Sequence, residues 1–122
     1  MKTINKIWGR EEWLVNNELY CAKYLYINSG FKTSIHFHKE KDETFIVISG
    51  FLDLLVGFQN IYLTQGGDTC RVKPIQFHQL RNNTVSELKV LEVSTPHKDS
   101  DCYRIKKGGE VKWVNMKNML KK

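Results

Sequence analysis

The chain has 122 residues, 41% of them hydrophobic and 26% charged, which suffices for one hydrophobic core and not for two. No window approaches the roughly 18 apolar residues of a membrane span, and the N-terminal MKTINKIWGR lacks the apolar stretch of a signal peptide, so a cytoplasmic protein with no membrane attachment is expected. The net charge is +6, yet Ile105 to Lys122 alone holds six lysines against one glutamate, so the rest of the chain is close to neutral and no nucleic-acid-binding face is expected on it.

Residues 1–16 carry Trp8 and Trp13 among polar side chains and read as an N-terminal arm, extended and ending in a short strand, with the tryptophans as packing anchors. Residues 18–28, ELYCAKYLYIN, are rich in Tyr, Leu and Ile, a strand signature, and Asn28-Ser29-Gly30 is turn chemistry that ends it. KTSIHFH, residues 32–38, alternates, so Ile35 and Phe37 share one face while Ser34, His36 and His38 share the other. KEKD is a charged turn, and ETFIVIS is a β-branched run that stops at Gly50. FLDLLVGF and NIYLTQ make a hairpin about Gly57 and Gln59-Asn60, and Gly66-Gly67-Asp68 turns the chain into TCRVK. Pro74 marks a loop, QFHQLRN is a strand bearing His78, and ELKVLEVST is a last strong strand closed by Pro96.

Roughly eight short strands, with turn signals every eight to twelve residues, predict an all-β sandwich or barrel. It is a single domain over residues 1–122, with a basic C-terminal segment at 105–122 whose VKWVNMKNML is open between strand and helical turn. Cys21, Cys70 and Cys102 are odd in number and widely spaced, which fits small buried thiols rather than a disulfide framework or a zinc finger.

The chemistry concentrates between Gly30 and Gly50. His36 and His38 lie on one strand face, and Glu43 follows a turn on the next strand, within reach of the same point. His78 would have to converge from a distant strand, as a barrel allows. Three imidazoles and a carboxylate form a full ligand set for a divalent transition metal. An HxH pair alone is weak, since two surface histidines on a strand edge would look the same.

The spacing carries more. Gly30, five residues, His36-x-His38, four residues, Glu43, six residues, Gly50 resembles the first motif of the cupin superfamily without a gap. Gly67, five residues, Lys73-Pro74-Ile75, two residues, His78, three residues, Asn82 resembles the second, with Lys73 and Ile75 at its Pro and Gly positions. Within that superfamily the chain resembles single-domain cupins related to the C-terminal domain of type II mannose-6-phosphate isomerases. Trp8-Gly9 precedes the barrel as in that family, and LEVSTPHKDSDCYRI is similar to its closing Asp-rich segment ending in Arg. The family has a Gln ligand at the position of His36, an Arg at Lys41 and a His at Thr44.

The resemblance implies a double-stranded β-helix, or jelly-roll barrel, holding a divalent transition metal (Zn, Mn, Ni, Co or Fe) on His36, His38, Glu43 and His78. It implies a metal-dependent isomerase of a sugar or sugar phosphate, with a metal-dependent dioxygenase and a non-catalytic sugar-binding cupin as alternatives. Lys41 and Arg104 are the candidate catalytic residues. Lys41, His97, Asp99 and Tyr103 are candidate proton carriers, and Arg104, Lys73 and Arg81 are candidate phosphate holders. Family resemblance and the N-terminal arm together predict a homodimer.

Overall fold

Alternation of apolar and polar residues, period two, governs almost the whole chain and closes it into two facing antiparallel sheets. The structure, a computed structural model, describes residues 2–111. The lysine-rich residues 112–122, most of the basic segment, lie outside the described part.

The first sheet has six strands: β1 (Lys2–Lys6), β2 (Gly9–Asn16), β3 (Cys21–Ile27), β11 (Leu88–Ser94), β6 (Glu43–Ser49) and β9 (Thr69–Val72), in that spatial order. The second runs β12 (Tyr103–Lys106), β5 (Ile35–Phe37), β10 (His78–Arg81), β4 (Phe31–Lys32) and β13 (Gly109–Glu110). A hairpin of β7 (Phe51–Val56) and β8 (Gln59–Thr64) joins it through β10. The only helical element among the described residues is one 3-10 turn at Asp99–Asp101. This is the expected double-stranded β-helix.

Thirteen strands occur among the described residues, against the eight or so expected. The surplus comes partly from the N-terminus, where an extended arm ending in one short strand was expected. There β1 pairs with β2 over five residue pairs, and β2 pairs with β3, so the segment is a hairpin that widens the first sheet. Gly9 permits this. Its φ is +150°, and a Cβ there would lie 1.8 Å from the Tyr26 carbonyl oxygen. Any side chain would push β2 off β3. Short paired segments at β4, β5, β12 and β13 account for the rest.

The barrel interior is layered. On the first sheet the inward row of Leu25, Val90 and Val47 is apolar and joins Ile27, Leu52, Leu54, Leu80 and Leu88 in the core. The next inward row pairs Lys23 with Glu92 and Glu92 with Phe45, and the row beyond it pairs Cys21 with Ser94 and Ser94 with Glu43. One end of the barrel is therefore hydrocarbon, and the other holds ionisable groups that burial makes costly unless they are paired or hold an ion. That polar end is where β5 and β10 deliver their histidines.

Candidate metal centre

Four side chains meet at the polar end. His36 lies on β5, His38 one residue past its end, Glu43 opens β6 and His78 opens β10. β10 runs antiparallel to β5 with His78 directly opposite His36. Ligating nitrogens of His36, His38 and His78 all lie within 4.8 Å of one another. Glu43 Oε1 is 2.7 Å from His78 Nε2 and 3.5 Å from His38 Nε2. His38, Glu43 and His78 are buried, and His36 is half-buried.

The hydrogen bonds behind the rings set which nitrogen faces inward. His36 Nδ1 is 3.0 Å from the Ser34 carbonyl, His38 Nδ1 2.6 Å from the Asp101 carbonyl and His78 Nδ1 3.0 Å from the Gln76 carbonyl. A carbonyl only accepts, so each Nδ1 carries the proton and donates it. In the neutral ring each Nε2 then keeps its lone pair, as a metal ligand requires.

Two of the inward atoms are orphans. Glu43 Oε1 and His78 Nε2 are fully buried and neither makes a hydrogen bond, although they are 2.7 Å apart. With the proton on Nδ1, both atoms are acceptors, so the pair is a close approach rather than a hydrogen bond. Buried polar atoms are almost always satisfied, and two donors of this kind beside two more imidazoles fit a bound cation. Burial, then the neighbouring His78 and His38, pulls the His36 pKa down to about 3, so that ring is neutral and its lone pair available. For His78 burial acts downward, but the Glu43 carboxylate outweighs it and raises the pKa.

Lys41, expected within a charged turn, is buried. Its ammonium lies 2.7 Å from Glu92 Oε2, 3.0 Å from His97 Nδ1 and 3.6 Å from Glu43 Oε2. Burial acts to lower its pKa, but Glu92 and Glu43 outweigh that and raise it, so Lys41 stays protonated. For Glu92 burial acts upward, and Lys41 and Lys23 outweigh it, bringing the carboxyl to about 2. Lys23, also buried, lies 3.3 Å from His97 Nδ1 and 3.5 Å from Glu11 Oε1, with its ammonium 4.1 Å above the Trp13 ring.

His97 takes the opposite tautomer from the other three. Ammonium groups only donate, so its Nδ1 accepts from Lys41 and Lys23, and its Nε2–H donates to Asp99 Oδ1 at 2.9 Å. Both ring nitrogens are committed, which sets His97 apart from the ligand set. Burial, then Lys23 and Lys41, lowers its pKa and keeps it neutral.

Of these groups His36, His38, Lys23, Lys41, Glu92 and His97 line a cavity of about 840 Å³, while Glu43 and His78 lie behind its wall. His36 and His38 sit on its wall with Lys41, Glu92 and His97, and Trp8 and Trp13 of the N-terminal hairpin form another side. Arg104, in register with His36 across β5 and β12, also lines it, as does Asp99. Lys73, Arg81 and Tyr103 do not line it. Arg81 lies on the outer side of β10, with Nε 4.0 Å from Asp53 Oδ2. Glu11, Lys23 and Glu92 were not singled out from sequence. Their signal was phase: Lys23 shares its strand face with Cys21, Leu25 and Ile27, and Glu92 with Leu88, Val90 and Ser94.

Several solved structures share the fold. KdgF from Halomonas sp. superposes with a TM-score of 0.68 at 15% identity, over 75% of this chain and 81% of that one. An RmlC-like cupin from Shewanella frigidimarina gives 0.66 at 19% identity, over 75% and 78%. A sugar phosphate isomerase of the cupin superfamily from Silicibacter pomeroyi gives 0.59 at 24% identity, over 65% of this chain and 52% of that one. No curated protein matches. The family model described as mannose-6-phosphate isomerase C-terminal matches residues 1–107. With that match over most of its length and the barrel described above, the chain belongs to the mannose-6-phosphate isomerase C-terminal family of the cupins.

Proposed function

We propose that this protein is a metal-dependent isomerase of a sugar or sugar phosphate, working in the cytoplasm as a homodimer. The observation that supports the metal is the orphaned pair, Glu43 Oε1 and His78 Nε2, 2.7 Å apart beside His36 and His38. His36, His38, Glu43 and His78 would hold a divalent transition ion. Such an ion supplies Lewis-acid polarisation of a sugar carbonyl.

The remaining roles fall to the chain. Lys41 stays cationic and holds the outer oxygen of Glu43 and the carboxylate of Glu92 in place, a charge-fixing part in catalysis rather than that of a base. Lys23, Glu11 and Glu92 place donors and acceptors together on the cavity wall, the mixture that vicinal hydroxyls need. Arg104 offers a cation for an anionic substituent. The N-terminal hairpin shields one side of the cavity from water.

Metal analysis of the purified protein and proton exchange test this reading. Mannose, glucose and fructose 6-phosphates, and the free sugars, are incubated with metal-loaded protein in D₂O and followed by NMR. A stoichiometric transition metal with deuterium entering the carbon beside the carbonyl is the expected result. Iron with O₂ consumption would replace the isomerase by an oxygenase. A bound metal with sugar binding and no exchange would leave a binding protein.

A further inference from the structure

The N-terminal hairpin and its neighbour β3 bring three further side chains to the cavity. Trp13 lies directly opposite Lys23 across β2 and β3, and Glu11 precedes Trp13 by two residues, so all three face the same way. Lys23 is 2% exposed, yet its ammonium has no close acceptor. Glu11 Oε1 stands at 3.5 Å and already takes the Trp13 Nε1–H at 2.9 Å. His97 Nδ1 stands at 3.3 Å, and its single lone pair has Lys41 nearer, at 3.0 Å. The Trp13 ring, 4.1 Å from the ammonium, offers a π face and no lone pair. A charge-assisted N–H···O bond measures ~2.7–2.9 Å, so this ammonium keeps donor capacity that the protein itself leaves unused. Burying a charge in that way is costly. Glu11 shows the converse: its Oε2 has no hydrogen-bond partner among the described residues.

We infer that Lys23 and Glu11 form a subsite for two adjacent hydroxyl groups of a sugar, so that the N-terminal hairpin reads the sugar's stereochemistry. The inference rests on the sugar ligand proposed above and names the groups that are read. One hydroxyl accepts from the spare N–H of Lys23, and its neighbour donates to Glu11 Oε2. Adjacent ring hydroxyls stand about one hydrogen-bond length apart, the scale of the 3.5 Å between the two side chains. A carboxylate or phosphate suits the pair badly. It only accepts, and it meets the charge of Glu11 and of Glu92, which lies opposite Lys23 on β11. A hydroxyl both gives and takes, so the subsite is for the neutral part of the ligand, and an anionic substituent is left to Arg104. Trp13 is a positioning residue. Its Nε1–H fixes Glu11 and its ring carries the Lys23 ammonium, while Lys2, 4.7 Å from the same ring, also occupies it. His97 and Lys41 stand between Lys23 and Glu43, so the pair grips the part of the sugar remote from the candidate metal centre.

Saturation-transfer NMR and calorimetry on the full chain test this with methyl α-D-mannopyranoside, methyl α-D-glucopyranoside and methyl α-D-galactopyranoside. These closed rings cannot isomerise, so their binding is independent of turnover. At least one is expected to bind with a millimolar dissociation constant and to receive most saturation at two adjacent ring positions. Its deoxy analogues at those positions are expected to bind wild type about 10-fold more weakly, a comparison that needs no variant. Lys23→Met and Glu11→Gln are each expected to weaken the parent glycoside by about 10-fold and to abolish the penalty for one of the two deoxy analogues, which a merely structural role would leave in place. Equal binding of parent and deoxy glycosides by wild type, or no glycoside bound, overturns the subsite. Glycoside binding that needs Lys23 and Glu11, with no deuterium exchange in any open sugar, overturns the isomerase and keeps the subsite. Exchange that continues with an unchanged KM in both variants overturns the subsite and keeps the isomerase.

Discussion

Replacing Glu43 by Gln separates what this carboxylate does for metal from what it costs the metal-free fold. Glu43 is 2% exposed and its Oε1 has no hydrogen-bond partner. An unsatisfied buried acceptor of this kind costs ~1–3 kcal/mol. A Gln amide in its place can donate to the lone pair of His78 Nε2, 2.7 Å from the present oxygen. Lys41 keeps its nearer partner Glu92 at 2.7 Å, so removing the charge at 43 does not strand it. The chelator-treated E43Q protein is therefore expected to be more stable than chelator-treated wild type by about 1–2 kcal/mol, or ~4–8 °C in melting temperature. Metal acts the other way. A wild-type protein at 100-fold excess over its metal Kd gains about 2.7 kcal/mol, near 10 °C. E43Q should lose most of that gain. Differential scanning fluorimetry with and without Zn²⁺, Mn²⁺, Co²⁺ and Ni²⁺ reads both effects. A fall in apo stability together with an undiminished metal increment would refute the assignment of Glu43 as a ligand.

Three further substitutions read other parts of the structure. Ile75 has φ +76°, so Ile75→Gly should be more stable than Ile75→Ala by about 1 kcal/mol in urea melts, and the reverse order would mean a negative φ there. Gly9→Ala would set a Cβ 1.8 Å from the Tyr26 carbonyl and is expected to cost about 3 kcal/mol, an estimate that a near-neutral chemical denaturation curve would reject. Burial acts to raise the Glu92 pKa, but Lys41 and Lys23 bring it to about 2, below the ~4.3 of the unfolded chain, so its stabilisation is present above pH ~4.3 and drains as pH falls from there towards 2. In Glu92→Gln the melting temperature should therefore fall less steeply than in wild type between pH 5 and 3, and parallel curves would count against this linkage.

Local spacing made the histidine-bearing strand legible, because period two alone places His36 and His38 together. The strand pattern gave an all-β sandwich or barrel in which Glu43 and His78 could converge, and the resemblance of the two motif spacings narrowed it to a double-stranded β-helix. What stayed hidden depended on register between strands far apart in the chain. The phase of each strand turns Lys23 and Glu92 inward, but they face each other only because β3 and β11 pair across more than sixty residues of sequence, so neither strand alone shows what neutralises its charge. Lys41 belonged to a run of charges that reads as a solvated turn, and nothing local says that Glu92 waits inside to receive it. Ile75 carries a subtler lesson. The second motif has glycine at that place, and here Ile75 holds the left-handed conformation that glycine favours. The Ile75 N–H, 2.6 Å from the His38 carbonyl, ties that loop to the chain just past β5 and helps hold the conformation.

Asp101 ties the candidate metal centre to a segment made much later in the chain. Its carboxylate accepts the backbone N–H groups of Lys39, Glu40 and Lys41, and its carbonyl receives the proton of His38 Nδ1, across 60 to 63 residues of chain. Contacts of such long range form late, because their loops must close first. On the ribosome, His36, His38 and Glu43 emerge long before the residue that orients His38. The nascent chain thus passes through a stage in which the donors are present without their final aim. Metal delivered at that stage would meet a loose set of histidines, and selective uptake would begin only once the closing segment has been made and docked.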